Sequence, residues 1–92
     1  MALFLVAYRP EFPEDNLPAV EALVKSWGAK TVCGSVWIVN MVSSEKFIFE
    51  AIYERINQLV DSVIIARIDP SHCLAHRARE DLSELGIPIS GR

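Results

Sequence analysis

At 92 residues the chain has room for one core, and at 51% apolar against 23% charged it carries more apolar surface than a small monomer needs. Nine basic and twelve acidic residues leave a formal charge of −3, which excludes the broad positive field behind non-specific nucleic-acid binding and confines any phosphate contact to a local site. No apolar run approaches the roughly 20 residues that cross a bilayer, and MALFLV has no basic region before it and acidic residues close behind, so a cytoplasmic protein is expected.

Residues 2–9, ALFLVAYR, form an apolar run too short for a good helix. It ends at Arg9-Pro10, because the residue before a proline is held extended and proline donates no ladder hydrogen bond. That run predicts a first strand. Residues 10–16 hold two prolines and three acids and read as a loop. Asn16 is the expected cap of a helix with Pro18 in its first turn; Val20, Leu23, Val24 and Trp27 give it an apolar face, and Gly28 closes it.

Residues 30–33, Gly34 and residues 35–41 predict a hairpin, with SVWIVNM as its second arm. Ser43 is the expected cap of a second helix over residues 44–59, striped by Ile48, Ile52, Ile56 and Leu59. DSVIIARID, residues 61–69, predicts a fourth strand. Asp69-Pro70 then looks like a helix start, Leu74, Ala78, Leu82 and Leu85 recur at helical spacing, and Gly86 with Pro88 stops a third helix over about residues 70–85, leaving a tail at 86–92.

The order βαββαβ over residues 2–69 plus a C-terminal helix predicts one α+β domain, a ferredoxin-like sandwich with an antiparallel sheet and both main helices on one face. Alternation puts Phe4 and Val6 on one face of the first strand and Leu3, Leu5 and Ala7 on the other; in the fourth strand, Val63 and Ile65 oppose Ile64, Ala66 and Ile68. Both faces are apolar, so both need cover. The third helix is expected to cover part of the second face, and a homodimer joined through that face the rest.

Three stretches at these spacings, LFLVAYR, GSVWIV and DSVIIARI, make residues 2–68 resemble the small nuclease-like subunit of the CRISPR spacer-acquisition complex and its SinR-like relatives. The resemblance implies a ferredoxin-like homodimer joined across its sheets that either cleaves nucleic acid with a metal or holds duplex DNA as a non-catalytic scaffold. The family's metal ligand is an aspartate directly after the tyrosine that ends the first strand. Here Tyr8 matches the tyrosine and Arg9 stands in the aspartate's place. A guanidinium stays protonated and cannot ligate a hard cation, so the shape carries over and the catalytic residue does not.

The expected function is accordingly a non-catalytic binding or scaffold protein with no cofactor, linked to defence or counter-defence through nucleic acid or a protein partner. The alternatives are a metal-dependent endoribonuclease using Mg or Mn, and a small-ligand sensor domain. The topology is expected to gather Tyr8, Arg9, Ser35, Asp61 and Ser62 at one edge, where Arg9 either grips an anion through its planar fork or pairs with Asp61. Glu11, Glu14 and Asp15 read as a solvated acidic loop. His72, Cys73 and His76 are weak metal candidates, with the two histidines one helical turn apart. Arg79 would extend that face into a small basic strip, while Arg77 pairs with Asp81. Trp27 and Trp37 read as packing groups and the two cysteines, Cys33 and Cys73, as free thiols.

Overall fold

Residues 2–88 are described by the computed structural model, beginning with the predicted first strand, β1 (Ala2–Arg9). Helix α1 (Pro13–Ser26) starts earlier than expected. Its cap position is Phe12, with no side-chain cap, and Pro13 provides the first turn because its fixed φ suits that position and its missing N–H costs nothing there. Glu14 and Asp15 therefore belong to the first helical turn, where acidic side chains meet the positive end of the helix dipole. Asn16 lies inside the helix and is not its cap. Pro18 is also internal and forfeits one backbone hydrogen bond.

Gly28, at φ +78°, takes the left-handed conformation that ends the helix. β2 (Lys30–Cys33) and β3 (Val36–Met41) form the predicted hairpin, with Gly34 at φ +49° in its turn and a register shift between Thr31 and Cys33. Helix α2 (Glu45–Tyr53) is capped by Ser44, whose hydroxyl accepts from the Phe47 N–H, and not by Ser43. β4 (Ser62–Ile68) completes a four-stranded antiparallel sheet in the order β2-β3-β1-β4.

Helix α2 stops well before residue 59. Arg55 N–H reaches back only to the Ile52 carbonyl, the Asn57 side chain accepts from the Leu59 N–H, and the Asp61 carboxylate accepts from the Asn57 N–H. These short polar side chains offer the backbone a turn in competition with the helix. Ile48, Ile52 and Ile56 remain buried, whereas Leu59, the last member of the expected stripe, is 93% exposed.

Phe4, Val6, Tyr8, Trp37 and Val39 from one sheet face pack with Val20, Val24, Ile48 and Ile52, so both helices cover the same side. Trp37 is fully buried, and its indole N–H has no hydrogen-bond partner among the described residues.

The predicted third helix does not form. Its place is taken by a short 3₁₀ turn at Pro70–His72, an irregular strap over residues 73–82, and a second 3₁₀ turn at Ser83–Leu85. Asp69 does act as a cap, but for the first 3₁₀ turn, where its carboxylate accepts from Ser71. Arg77 sits at φ +54°, which no α-helix permits. The reason is tertiary. The strap lies across the second sheet face, where Leu82 and Ile87 are buried with Leu3 and Ile38, and Cys73, Ala75, Ala78 and Leu85 pack around them.

The strap also closes the β2 edge. Arg79 N–H donates to the Val32 carbonyl at 2.8 Å and Glu80 N–H to the Thr31 carbonyl at 3.0 Å, while the Glu80 carboxylate accepts from the Thr31 N–H at 2.5 Å. Lys25 Nζ stands 3.6 Å from that carboxylate, and Lys30 pairs with Glu84 at 2.7 Å. A helix would have left both the apolar face and the strand edge less completely met. Leu74, the first residue of the supposed stripe, is 74% exposed. Past Pro88, the expected tail lies outside the described residues.

Candidate functional site

The end of β1 is the best-organised polar region of the chain. Tyr8 points to the helix side, where its hydroxyl is buried and donates to Asp61 Oδ2 at 2.7 Å. The other hydrogen bonds to Asp61 come from the Glu11 N–H at 2.8 Å and the Asn57 N–H at 2.9 Å. One carboxylate thus ties the β1 end, the turn into α1 and the turn out of α2. Burial works to raise the Asp61 carboxyl, but the hydrogen bonds from Glu11, Tyr8 and Asn57 outweigh it and hold the group below the usual aspartate range. Burial, together with the hydrogen bond to Asp61 and its negative charge, pushes the Tyr8 phenol well above its ordinary value. Ser35 fastens the same end, its hydroxyl donating to the Tyr8 carbonyl and its carbonyl accepting from the Tyr8 N–H.

Arg9 goes the other way. Successive side chains on a strand alternate in face, so the residue after inward-pointing Tyr8 is turned from Asp61. No Arg9–Asp61 ion pair forms, and the guanidinium has no ion-pair or hydrogen-bond partner among the described residues. Arg9 is exposed, sits opposite Ser62 in the β1–β4 ladder, and borders an open hollow of about 290 Å³ lined by Ala7, Val36, Ser62 and Ile64 among others. All five residues expected at this edge are therefore close in the sheet, but divided in role: Tyr8, Ser35 and Asp61 hold the structure together, while Arg9 and Ser62 line the hollow.

Arg79 is not part of this group. It lies at the β2 edge, with β3 between that strand and β1. The helical face proposed for His72, Cys73 and His76 is absent, as is the helical Arg77–Asp81 pairing. Asp81 instead accepts from the Ser83 N–H, and the Cys73 thiol donates to the Asp69 carbonyl at 3.1 Å. Among the described residues, no three His, Cys, Asp or Glu side chains gather closely enough to hold a metal ion. Cys73 and His76 do line an apolar cleft of about 250 Å³ between the strap and the sheet, together with Leu5, Val32, Ile38 and Leu82.

The parts that sequence reasoning missed are Asn57, the Glu11 N–H and the Glu80–Thr31 contact. Asn57 had a signal, since an Asn and an Asp four apart directly before a strand mark a turn rather than the end of a helix. Glu80 had none, because nothing in a charged residue on an expected helix surface points to a strand 49 residues away. No family model, curated protein or solved structure matches this chain. No helix among the described residues is long and apolar enough to cross a membrane.

Proposed function

We propose that the chain is a non-catalytic binding or scaffold protein of ferredoxin-like topology, similar in kind to the small subunit of the CRISPR spacer-acquisition complex and tied to defence or counter-defence through an anionic partner. It works as a homodimer built at the β1–β4 end of the sheet, where the strap leaves Ala7, Val36, Ile64 and Ala66 less covered than Leu3 and Ile38. The observation that carries the binding reading is Arg9: a cation at the end of a rigid strand, anchored by the following proline, with no acidic partner among the described residues and a hydroxyl beside it. A guanidinium so placed offers a planar fork to a phosphate. One such site per protomer suits a protein with net negative charge, which recognises phosphate locally and not through a wide basic field.

Arg9→Ala is expected to leave the melting temperature unchanged within about 1 °C, because an exposed charge without a partner contributes little to stability. Its affinity for short duplex DNA or RNA should fall, and the slope of log affinity against log salt should flatten by about one unit, one phosphate contact having been lost. Titrations of the wild type and the variant at several salt concentrations read this directly. Equal affinities and slopes would remove Arg9 from the binding site. The endoribonuclease reading with Mg or Mn has less support, since the strand-end residue is cationic and, among the described residues, no ligand cluster replaces an aspartate there.

The cleft under the strap favours a second reading, a small-ligand sensor. Enclosed apolar cavities take up small apolar molecules, and this half-open cleft offers a lining of the same chemistry. A saturating aromatic or aliphatic ligand of six to ten heavy atoms, on the order of 100 times its Kd, should then raise the folding free energy by about 2.7 kcal/mol. A thermal-shift series with no positive shift would leave the cleft as packing space.

A further inference from the structure

We infer that two copies of this chain join edge to edge through β4, running antiparallel, so that two four-stranded sheets become one of eight strands. This rests on the homodimer reading above and supplies its interface.

The two edges of the sheet are treated differently. β2 is four residues long, carries a register shift, includes Lys30, and has its outer backbone groups occupied by residues 79 and 80 of the strap. β4 is seven residues long and pairs with β1 without interruption from Ser62 to Ile68. It contains no Pro, Gly or Lys, and among the described residues its outer edge has no backbone partner. Proteins ordinarily blunt such an edge with a bulge, a proline or an inward-pointing charge, because a bare regular strand adds another strand. Here the register shift and the lysine lie on the edge already closed by the strap, and β4 carries a single such device, Arg67 on its helix-side face over the Phe4 ring.

The surfaces flanking β4 suit burial. On the outer face Ile64 is 64% exposed. On the helix side Phe49, 37% exposed, lines a groove with Val63 and Ile65 and stacks on Tyr53 at a ring separation of 5.3 Å. The one charge on the strand, Arg67, is bound to Glu45 at 3.3 Å, so the edge presents no uncompensated charge to a copy of itself.

Self-pairing also has a natural register. A two-fold axis at Ile65 engages all seven residues of both strands, sets each Ile64 across from an Ala66, and sets each Arg67 across from a Val63, so like charges are never opposed. A second copy is therefore the occupant that this strand fits by its own symmetry. The contact would bring Ile64 and Ala66 of both copies side by side on the outer face, where they shield one another along the seam.

Two measurements test this. In a Cys33→Ser, Cys73→Ser background, a mixture of Ile64→Cys and Ala66→Cys chains should form a disulfide-linked heterodimer under mild oxidation faster than either variant links to itself, since directly opposed Cβ atoms lie about 5 Å apart and diagonal ones about 7–8 Å. Light scattering during gel filtration at micromolar concentration should give twice the chain mass for the wild type. Ile64→Lys, a change at an exposed side chain, should weaken the dimer at least tenfold with the monomer's far-ultraviolet circular dichroism unchanged. A wild-type dimer with no preferred cross-link overturns the edge interface and leaves the homodimer reading standing, with the outer face as its contact if Ile64→Lys still weakens it. A wild-type monomer overturns both.

Discussion

Asp61→Ala is expected to lower the folding free energy by about 3 kcal/mol, measured as a shift of the urea midpoint at constant slope. The carboxylate accepts from Tyr8, Glu11 and Asn57 at 2.7–2.9 Å, and only the Tyr8 hydroxyl is buried, so that group is the one left without water or a partner when the carboxylate goes. The two backbone N–H groups lie in exposed turns and recover hydration, which keeps the loss well below the sum of three charged hydrogen bonds. Tyr8→Phe removes one donor and leaves the other two in place; its cost should be about 1 kcal/mol.

The pH dependence has a definite sign at both ends. Asp61 is held below its unfolded value, so its contribution is fully present above about pH 4 and is lost as pH falls through its depressed folded value. Tyr8 is raised, so the folded state keeps a proton that the unfolded chain gives up; stability therefore declines as pH rises above about 10. Asp61→Ala should abolish the acid arm that Asp61 supplies and only weaken the alkaline one, because burial goes on holding the Tyr8 phenol up after the carboxylate is gone. Unchanged arms would mean that other groups dominate the titration.

Leu82→Ala should cost about 3 kcal/mol, the usual range for deleting a buried leucine side chain. Leu82 is only 3% exposed and sits between the strap and the sheet with Leu3, Ile38 and Ile87. Unlike a substitution in the helix-covered core, it should act chiefly on the strap: amide exchange at Thr31, Ala75, Arg79 and Glu80 should accelerate while β1 and β3 stay protected. Uniform loss of protection would show that the strap and the main core unfold as one unit.

Acid should loosen the same region. Glu80 is lowered by its hydrogen bonds from the Thr31 N–H and hydroxyl, with Lys25 adding to the effect, so its contribution is present above about pH 4.3 and fades as pH drops through the depressed value. Exchange at Thr31 should therefore quicken below pH 4 in the wild type and already be fast at neutral pH in Glu80→Gln.

Local pattern alone determined the strands, the α1 face and the hairpin. The apolar run before Arg9-Pro10 leaves no other conformation that buries Phe4 and Val6 together, and Gly34 supplies the positive φ that the turn requires. The same alternation in β1 and β4 showed that both sheet faces needed cover, which they do receive in part. It also contained the parity that separates Tyr8 from Arg9, although an ion pair between Arg9 and Asp61 looked plausible from proximity at the strand ends.

Only the tertiary structure decided the rest. Leu74, Ala78, Leu82 and Leu85 repeat at helical spacing, yet a helix presents its apolar residues along one stripe and keeps its backbone hydrogen bonds to itself. The uncovered face around Leu3 and Ile38 and the open β2 edge asked for both side chains and backbone groups, and an irregular strap supplies both, with Leu82 and Ile87 on the face and residues 79 and 80 on the edge. Helix α2 was shortened in the same way, by an aspartate whose partners, Tyr8 and Glu11, lie more than 40 residues before it. Intrinsic propensity and spacing are read within a few turns of chain, whereas these two segments took the conformations that satisfied groups brought beside them by the sheet.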